Sequence, residues 1–201
     1  RINAIIRCRR GVPSGITLTI AAGTRVGVID QPFQNTSSSA IEISGRLLSL
    51  GTIEAPVLLT ADNDFQSVTS TELESAWSFC SILGCPSHNW QGLRFSGMTE
   101  PSLLQNTIIR YAAVQPGSYA KNAVTVANNS APVTFEAVMW QMSGRGNPFL
   151  EHDGSALYVE DGRAEVKDGI FKEGDMGVWL VGNSSVQVAD SRFIDLSTGI
   201  M

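Results

Sequence analysis

Charge is scarce in this chain of 201 residues: Asp, Glu, Lys and Arg together make up 16%, and the net charge is −5. That balance argues against a nucleic-acid partner. The charge also drifts along the chain. Residues 1–50 hold six Arg against Asp30 and Glu42, whereas residues 151–201 hold four basic and ten acidic residues. Solvated turns account for that drift more simply than a site for a polyanion or a cation. No run of about 18 apolar residues occurs, so no membrane-spanning helix is encoded. Few stretches carry the spacing of an amphipathic helix. Cysteine is sparse too, at three. Cys80 and Cys85 bracket Ser-Ile-Leu-Gly, a loop short enough to close as a disulfide, and Cys8 is left over. Reduced, partly buried thiols are the alternative. No signal peptide opens the chain. The start, RINAIIRCRRG, reads as a chain already under way, and the end, LSTGIM, stops in mid-pattern. We therefore expect one domain over 1–201 that continues in a longer protein. It divides into N-terminal coils at 1–60, an irregular insertion at 61–89, and regular coils from 90 that run past the last residue.

What the sequence does have is glycine, at 19 residues, abundant Ser and Thr, and apolar residues drawn mostly from Val, Ile, Leu and Ala. Many stretches alternate on a two-residue period, as short strands do. A repeat organises them. Coils begin at Gln91, Asn122, Ser155 and Gly177, and Gly199-Ile200 starts another 22 residues after Gly177-Val178. Three apolar columns run through them: Phe95, Val126, Val159, Val181; then Leu104, Phe135, Val166, Val188; then Ile109, Trp140, Phe171, Phe193. The second and third columns stay five residues apart in all four coils.

Each coil thus carries three short strands separated by turns. One coil alone leaves its inward side chains unburied, but stacked coils pair strand on strand in parallel, about 4.8 Å apart, around a continuous apolar interior. The alternation predicts Val124, Val126, Leu157 and Val159 inward, with Thr125 and Tyr158 outward. By the same 22-residue step Trp179 and Val181 point inward, and both Trp140 and Trp179 become core residues. Asn128, Asp161 and Asn183 follow the first column by two residues. Asn106, Asp168 and Asp190 follow the second, with Ala137 the exception. Asn and Asp tolerate the left-handed backbone that a sharp corner needs.

The N-terminal third is less regular, with strand candidates at Ile16–Ile20, Val26–Ile29, Ile41–Ile43, Arg46–Leu50 and Val57–Thr60. Its segments VPSGITLTIAAGTRV, IEISGRLLSLGTIEAPVLLTAD and WQGLRFSG resemble the opening of many secreted right-handed parallel β-helix proteins of the pectate-lyase-like superfamily. The later coils resemble the generic parallel β-helix repeat. The resemblance implies an all-β, right-handed, single-stranded parallel β-helix with three short strands per coil and about 22 residues per regular coil. It implies secretion or a cell-surface location, and it leaves function open, because such proteins include polysaccharide lyases and hydrolases, adhesins, fibres and junction proteins.

No catalytic constellation is recognisable, and nothing calls for a metal or a cofactor. Extra loops at roughly 112–121 and 143–154 leave one corner of adjacent coils, and 61–89 forms a third insertion. Such loops on a rigid scaffold are where binding residues concentrate. The second holds Glu151, His152 and Asp153, a solvated loop or a weak cation or sugar contact. Glycosidases need two facing carboxyl groups about 5–10 Å apart. The outward candidates Glu136 and Lys167 share an offset, which pairs opposite charges instead. Asn35, Asn128 and Asn183 head Asn-X-Ser/Thr sequons and become glycan sites in a secreted eukaryotic protein. The leading expectation is a non-catalytic extracellular or cell-surface scaffold, adhesion or filament module. Its partners would be other chains, further domains of the same chain, or glycans. The rivals are a carbohydrate-active lyase or hydrolase and a glycan-binding module.

Overall fold

The computed structural model describes residues 3–7, 10–29, 40–61, 90–112, 122–141 and 154–201. Among these residues there is no helix, and twenty strands, numbered β1 to β20 in chain order, form three sheets. Sheet A stacks β1 (Asn3–Arg7), β4 (Arg25–Ile29), β7 (Val57–Ala61), β10 (Thr107–Arg110), β13 (Met139–Gln141), β16 (Ile170–Lys172) and β19 (Arg192–Ile194). Sheet B stacks β2 (Arg10–Val12), β5 (Ile41–Ile43), β8 (Leu93–Ser96), β11 (Asn122–Ala127), β14 (Ser155–Glu160), β17 (Met176–Val181) and β20 (Thr198–Ile200). Sheet C stacks β3 (Thr17–Ala21), β6 (Arg46–Leu50), β9 (Ser102–Gln105), β12 (Val133–Glu136), β15 (Arg163–Lys167) and β18 (Ser185–Ala189). Every pairing is parallel, and the chain visits A, B and C in turn before climbing to the next coil. This is a right-handed parallel β-helix with three strands per coil, the hand that parallel crossovers almost always take.

The register bears out the second and third columns. Leu104, Phe135, Val166 and Val188 are direct partners up sheet C. Ile109, Trp140, Phe171 and Phe193 are direct partners up sheet A. Strand spacing sets how these rings meet. Trp140 stacks on Phe171 at 4.4 Å and Phe171 on Phe193 at 4.7 Å, each pair within 2° of parallel. Trp140 and Phe171 are buried, and burying such a side chain is worth about 1.5–3 kcal/mol. Phe135 leans on Trp140 at 5.3 Å and closes the interior from sheet C. The Trp140 Nε1 donor has no hydrogen-bond partner.

The corner from C to A is short in the same four coils. Asn106, Ala137, Asp168 and Asp190 all stand there with φ of 43°, 51°, 54° and 51°. Ala137 therefore takes the left-handed backbone although it lacks the side chain that favours it. The fresh start expected at Gly199-Ile200 is also present, since Val178 pairs with Ile200.

The first column needs one correction. Phe95, Val126 and Val159 align, but Val159 pairs with Leu180, not Val181, and Tyr158 pairs with Trp179. Trp179 therefore faces outward and is not a core residue, and Val181 shares its side of the strand. The cause lies in the corner from B to C. Two residues, 161–162, separate β14 from β15, whereas three, 182–184, separate β17 from β18. The extra residue keeps the sheet C column at 22 while the sheet B step is 21. The left-handed corner position passes through Asn128, Asp161 and Gly182. Asn183 is one residue beyond it.

Candidate functional site

Corner length separates one edge of the helix from the other two. The connections from C to A run from one to six residues and those from B to C from two to five. The connections from A to B are different. Residues 30–40, 62–92, 111–121 and 142–154 join consecutive coils there, with lengths of 11, 31, 11 and 13. The first, 8–9, has two residues, and the last two, 173–175 and 195–197, have three each. The expected insertions thus share one edge, and a fourth, at 30–40, joins them. Strand pairing holds the stems of neighbouring connections about 4.8 Å apart.

The stem after 62–89 is built firmly. Trp90 is buried, bridges Ala112 on the next coil, and donates its indole N–H to the Arg110 carbonyl at 2.9 Å. Gly92 has φ of 82°, and a Cβ there would stand 1.9 Å from the Ala123 carbonyl oxygen. Only glycine allows the two coils to approach so closely at this stem. Arg110 reaches outward beside it, donating to the Tyr111 hydroxyl at 3.1 Å with its guanidinium 5.0 Å from the Tyr111 ring.

Sheet B begins where these connections end, and its outward row reads Glu42, Arg94, Thr125, Tyr158, Trp179 up successive coils. All five are half-buried. Glu42 and Arg94 are directly opposite, a pairing of opposite charge. Tyr158 meets Trp179 edge to face, with centroids 5.3 Å apart and planes at 81°. Burial raises the Tyr158 phenol above its ordinary pKa, and the Glu160 and Asp161 carboxylates raise it further, Glu160 also through a hydrogen bond. Asp161 is held in turn by the Asn183 backbone N–H, which donates to its Oδ1 at 2.8 Å.

The other sequence-derived candidates scatter. Glu151, His152, Asp153, Cys80, Cys85, Cys8 and Asn35 lie outside the described residues. Asn128 and Asn183 are exposed and sit in the same corner, from B to C, on different coils. Glu136 is directly opposite Lys167, and its Oε2 accepts from Gln105 Nε2 at 3.3 Å. Glu165 lies opposite Gln187. Glu136 is engaged along the stack, and Glu136 and Glu165 lie on adjacent strands of one outer face, not across a cleft. Among the described residues no group of three or more His, Cys, Asp and Glu could hold a metal ion. A cavity of about 320 Å³ opens in the interior near the N-terminal coils, lined by Leu18, Ile20, Val26, Ile41, Leu47 and Leu59 among others. Its walls are apolar, so it offers packing space and no chemistry.

Comparison of the chain with protein-family models, with curated proteins and with solved structures finds no match. The β-helix is therefore established by the register of its own strands.

Proposed function

We propose that this chain is a non-catalytic β-helix module of the extracellular space or cell surface, of the pectate-lyase-like kind, that displays binding loops along one edge. The observation that carries this reading is the stacking of four long connections at the A-to-B corner of consecutive coils, while the other corners stay tight. A rigid scaffold with variable loops on one edge is the arrangement that adhesion and recognition modules use. Glu136 and Glu173 accept from the Gln105 and Gln141 amides of the preceding coils, which favours a scaffold over the rival reading of a polysaccharide lyase or hydrolase. The partners of such an edge are other protein chains or glycans.

Two measurements test it. Incubation with polygalacturonate, xylan and mixed-linkage glucan is expected to release no reducing ends and no unsaturated products. Turnover of any of them overturns the non-catalytic reading. Replacing 111–121 and 142–154 by the short Glu173-Gly174-Asp175 corner is expected to preserve the strand signature and the cooperative melt. The same variant should no longer hold protein-coated beads to the surface of the producing cells. Undiminished adhesion would remove the edge from the argument.

A further inference from the structure

The outward turn of Trp179 is the observation that neither the core nor the loop edge uses. The interior takes Trp140, Phe171 and Phe193 for packing, yet the chain places a second tryptophan on the solvent side of sheet B, half-buried and leaning on Tyr158 at 81°. In an edge-to-face pair the ring that offers its edge keeps both faces clear of its partner, whereas a parallel pair covers one face of each ring. A pyranose ring has an apolar C–H face that stacks on an aromatic ring and equatorial hydroxyls that need acceptors and donors at its rim. Both are present here. The Tyr158 hydroxyl and the Glu160 carboxylate, two residues apart on β14 and so on the same side of the strand, form one side. Thr125, the outward neighbour of Tyr158 on the preceding coil, forms the other.

The geometry points to a stacking subsite for one neutral pyranose ring of a glycan, formed by Trp179 and Tyr158 with Glu160 and Thr125 at its rim. Charge selects the class. Glu160 and Asp161 flank the aromatic pair, and the nearest cation in the row, Arg94, is two coils from Tyr158, about 10 Å at the spacing of paired strands. A uronate placed on the rings would meet like charge first, which rejects it. The two rings lie 5.3 Å apart, about the width of one pyranose, so a single sugar ring is seated at this point. Arg94 and Glu42 continue the same row and would meet the polar groups of the units that follow.

This inference rests on the reading of the chain as a surface-binding module, but it uses residues outside the long connections, so the two can fail separately. The test is electrophoresis of the whole chain through gels containing mixed-linkage glucan, xylan, mannan or polygalacturonate. The expected result is retardation by at least one neutral polysaccharide. Retention should weaken about tenfold in Trp179→Ala and equally in Trp179→Leu, which keeps apolar area without a ring. Glu160→Gln should weaken it several-fold, and Glu165→Gln, on the outer face of sheet C, should leave it unchanged. A cooperative melt matching the parent shows that each variant is folded, and the leucine variant serves if the alanine variant is not. Absence of retardation in every neutral gel overturns the proposal. So does retention that survives both Trp179 variants, or Trp179-dependent binding confined to polygalacturonate. Retention that survives trimming of 111–121 and 142–154 but needs Trp179 supports this site and counts against the loop edge. Retention lost only on trimming does the reverse.

Discussion

Aromatic rings climb this β-helix in two places, and they obey different rules. Inside, Trp140, Phe171 and Phe193 lie parallel at 4.4 and 4.7 Å, which is the rise between paired strands. The quadrupoles of aromatic rings disfavour eclipsed parallel stacking and favour offset or perpendicular contact. The interior leaves little choice, because each ring is pinned to its strand and walled by the other two sheets. Outside, on sheet B, Tyr158 and Trp179 have the same one-coil separation but open solvent on one side, and they turn to 81°. The same pair of strand positions thus gives parallel rings under confinement and perpendicular rings without it. The interior uses aromatic area for stability, and the outer face leaves it available for contact.

Substitutions can break that contrast, beginning with the deepest. Trp140→Ala should destabilise by about 3–5 kcal/mol, since it opens a cavity between Ile109 and Phe171 that the rigid coils will not close. Chemical denaturation measures it, and a loss under about 1 kcal/mol would mean that the stack contributes little. Trp140→Phe should stay within about 1.5 kcal/mol of the parent, because stacking is kept and an unpartnered indole donor is removed from the interior. Ala137→Asn should stabilise by about 1 kcal/mol, as the strained left-handed position at the sheet C corner receives a residue that tolerates it. Trp179→Ala should cost only about 0.5–1 kcal/mol, the worth of one exposed aromatic pair. A loss as large as that at Trp140 would show that the outer pair is structural after all.

The smallest effect is a slope in pH. The folded state holds the Tyr158 proton more tightly than the unfolded chain does, because burial and the neighbouring Glu160 and Asp161 carboxylates oppose ionisation. Its contribution to stability is complete below about pH 10, the ordinary tyrosine value, and is lost as pH rises above it. Melting of Tyr158→Phe against the parent across that range should show a flatter decline for the variant. Identical slopes would place the phenol in ordinary solvent.

The strands and two of the three interior columns were legible in the sequence because, in the four coils from Gln91 onward, sheets C and A are joined by a corner of only one or two residues. Five residues separate Leu104 from Ile109, and five separate Val188 from Phe193, so periodicity survives from coil to coil. The B-to-C corner has no such constancy. A step of 22 carried across it placed Trp179 inside, although Tyr158, on the same row, was read correctly as outward. The signal that separates them is Gly182, which takes the left-handed position of Asn128 and Asp161. Counting from that glycine gives a step of 21 and turns Trp179 outward. The shared edge of the insertions was legible for the same kind of reason, since spacings such as Trp140 to Ala156 were too long for a corner. What the sequence could not supply was the chemistry of that edge, because loop residues follow no period and their neighbours come from other coils.

The edge itself has an engineering reading. The strand-to-strand hydrogen bonds of the β-helix run between coils, so connections of three and of 31 residues are carried by the same ladder. Lengthening a closed loop costs only about 0.6 kcal/mol for each doubling. The corners at 173–175 and 195–197 are therefore graft positions: a peptide inserted at each would be held in parallel with its neighbours at a pitch of about 4.8 Å. A ligand with closely repeating units could be met by one graft per unit, its selectivity set by which corners were lengthened.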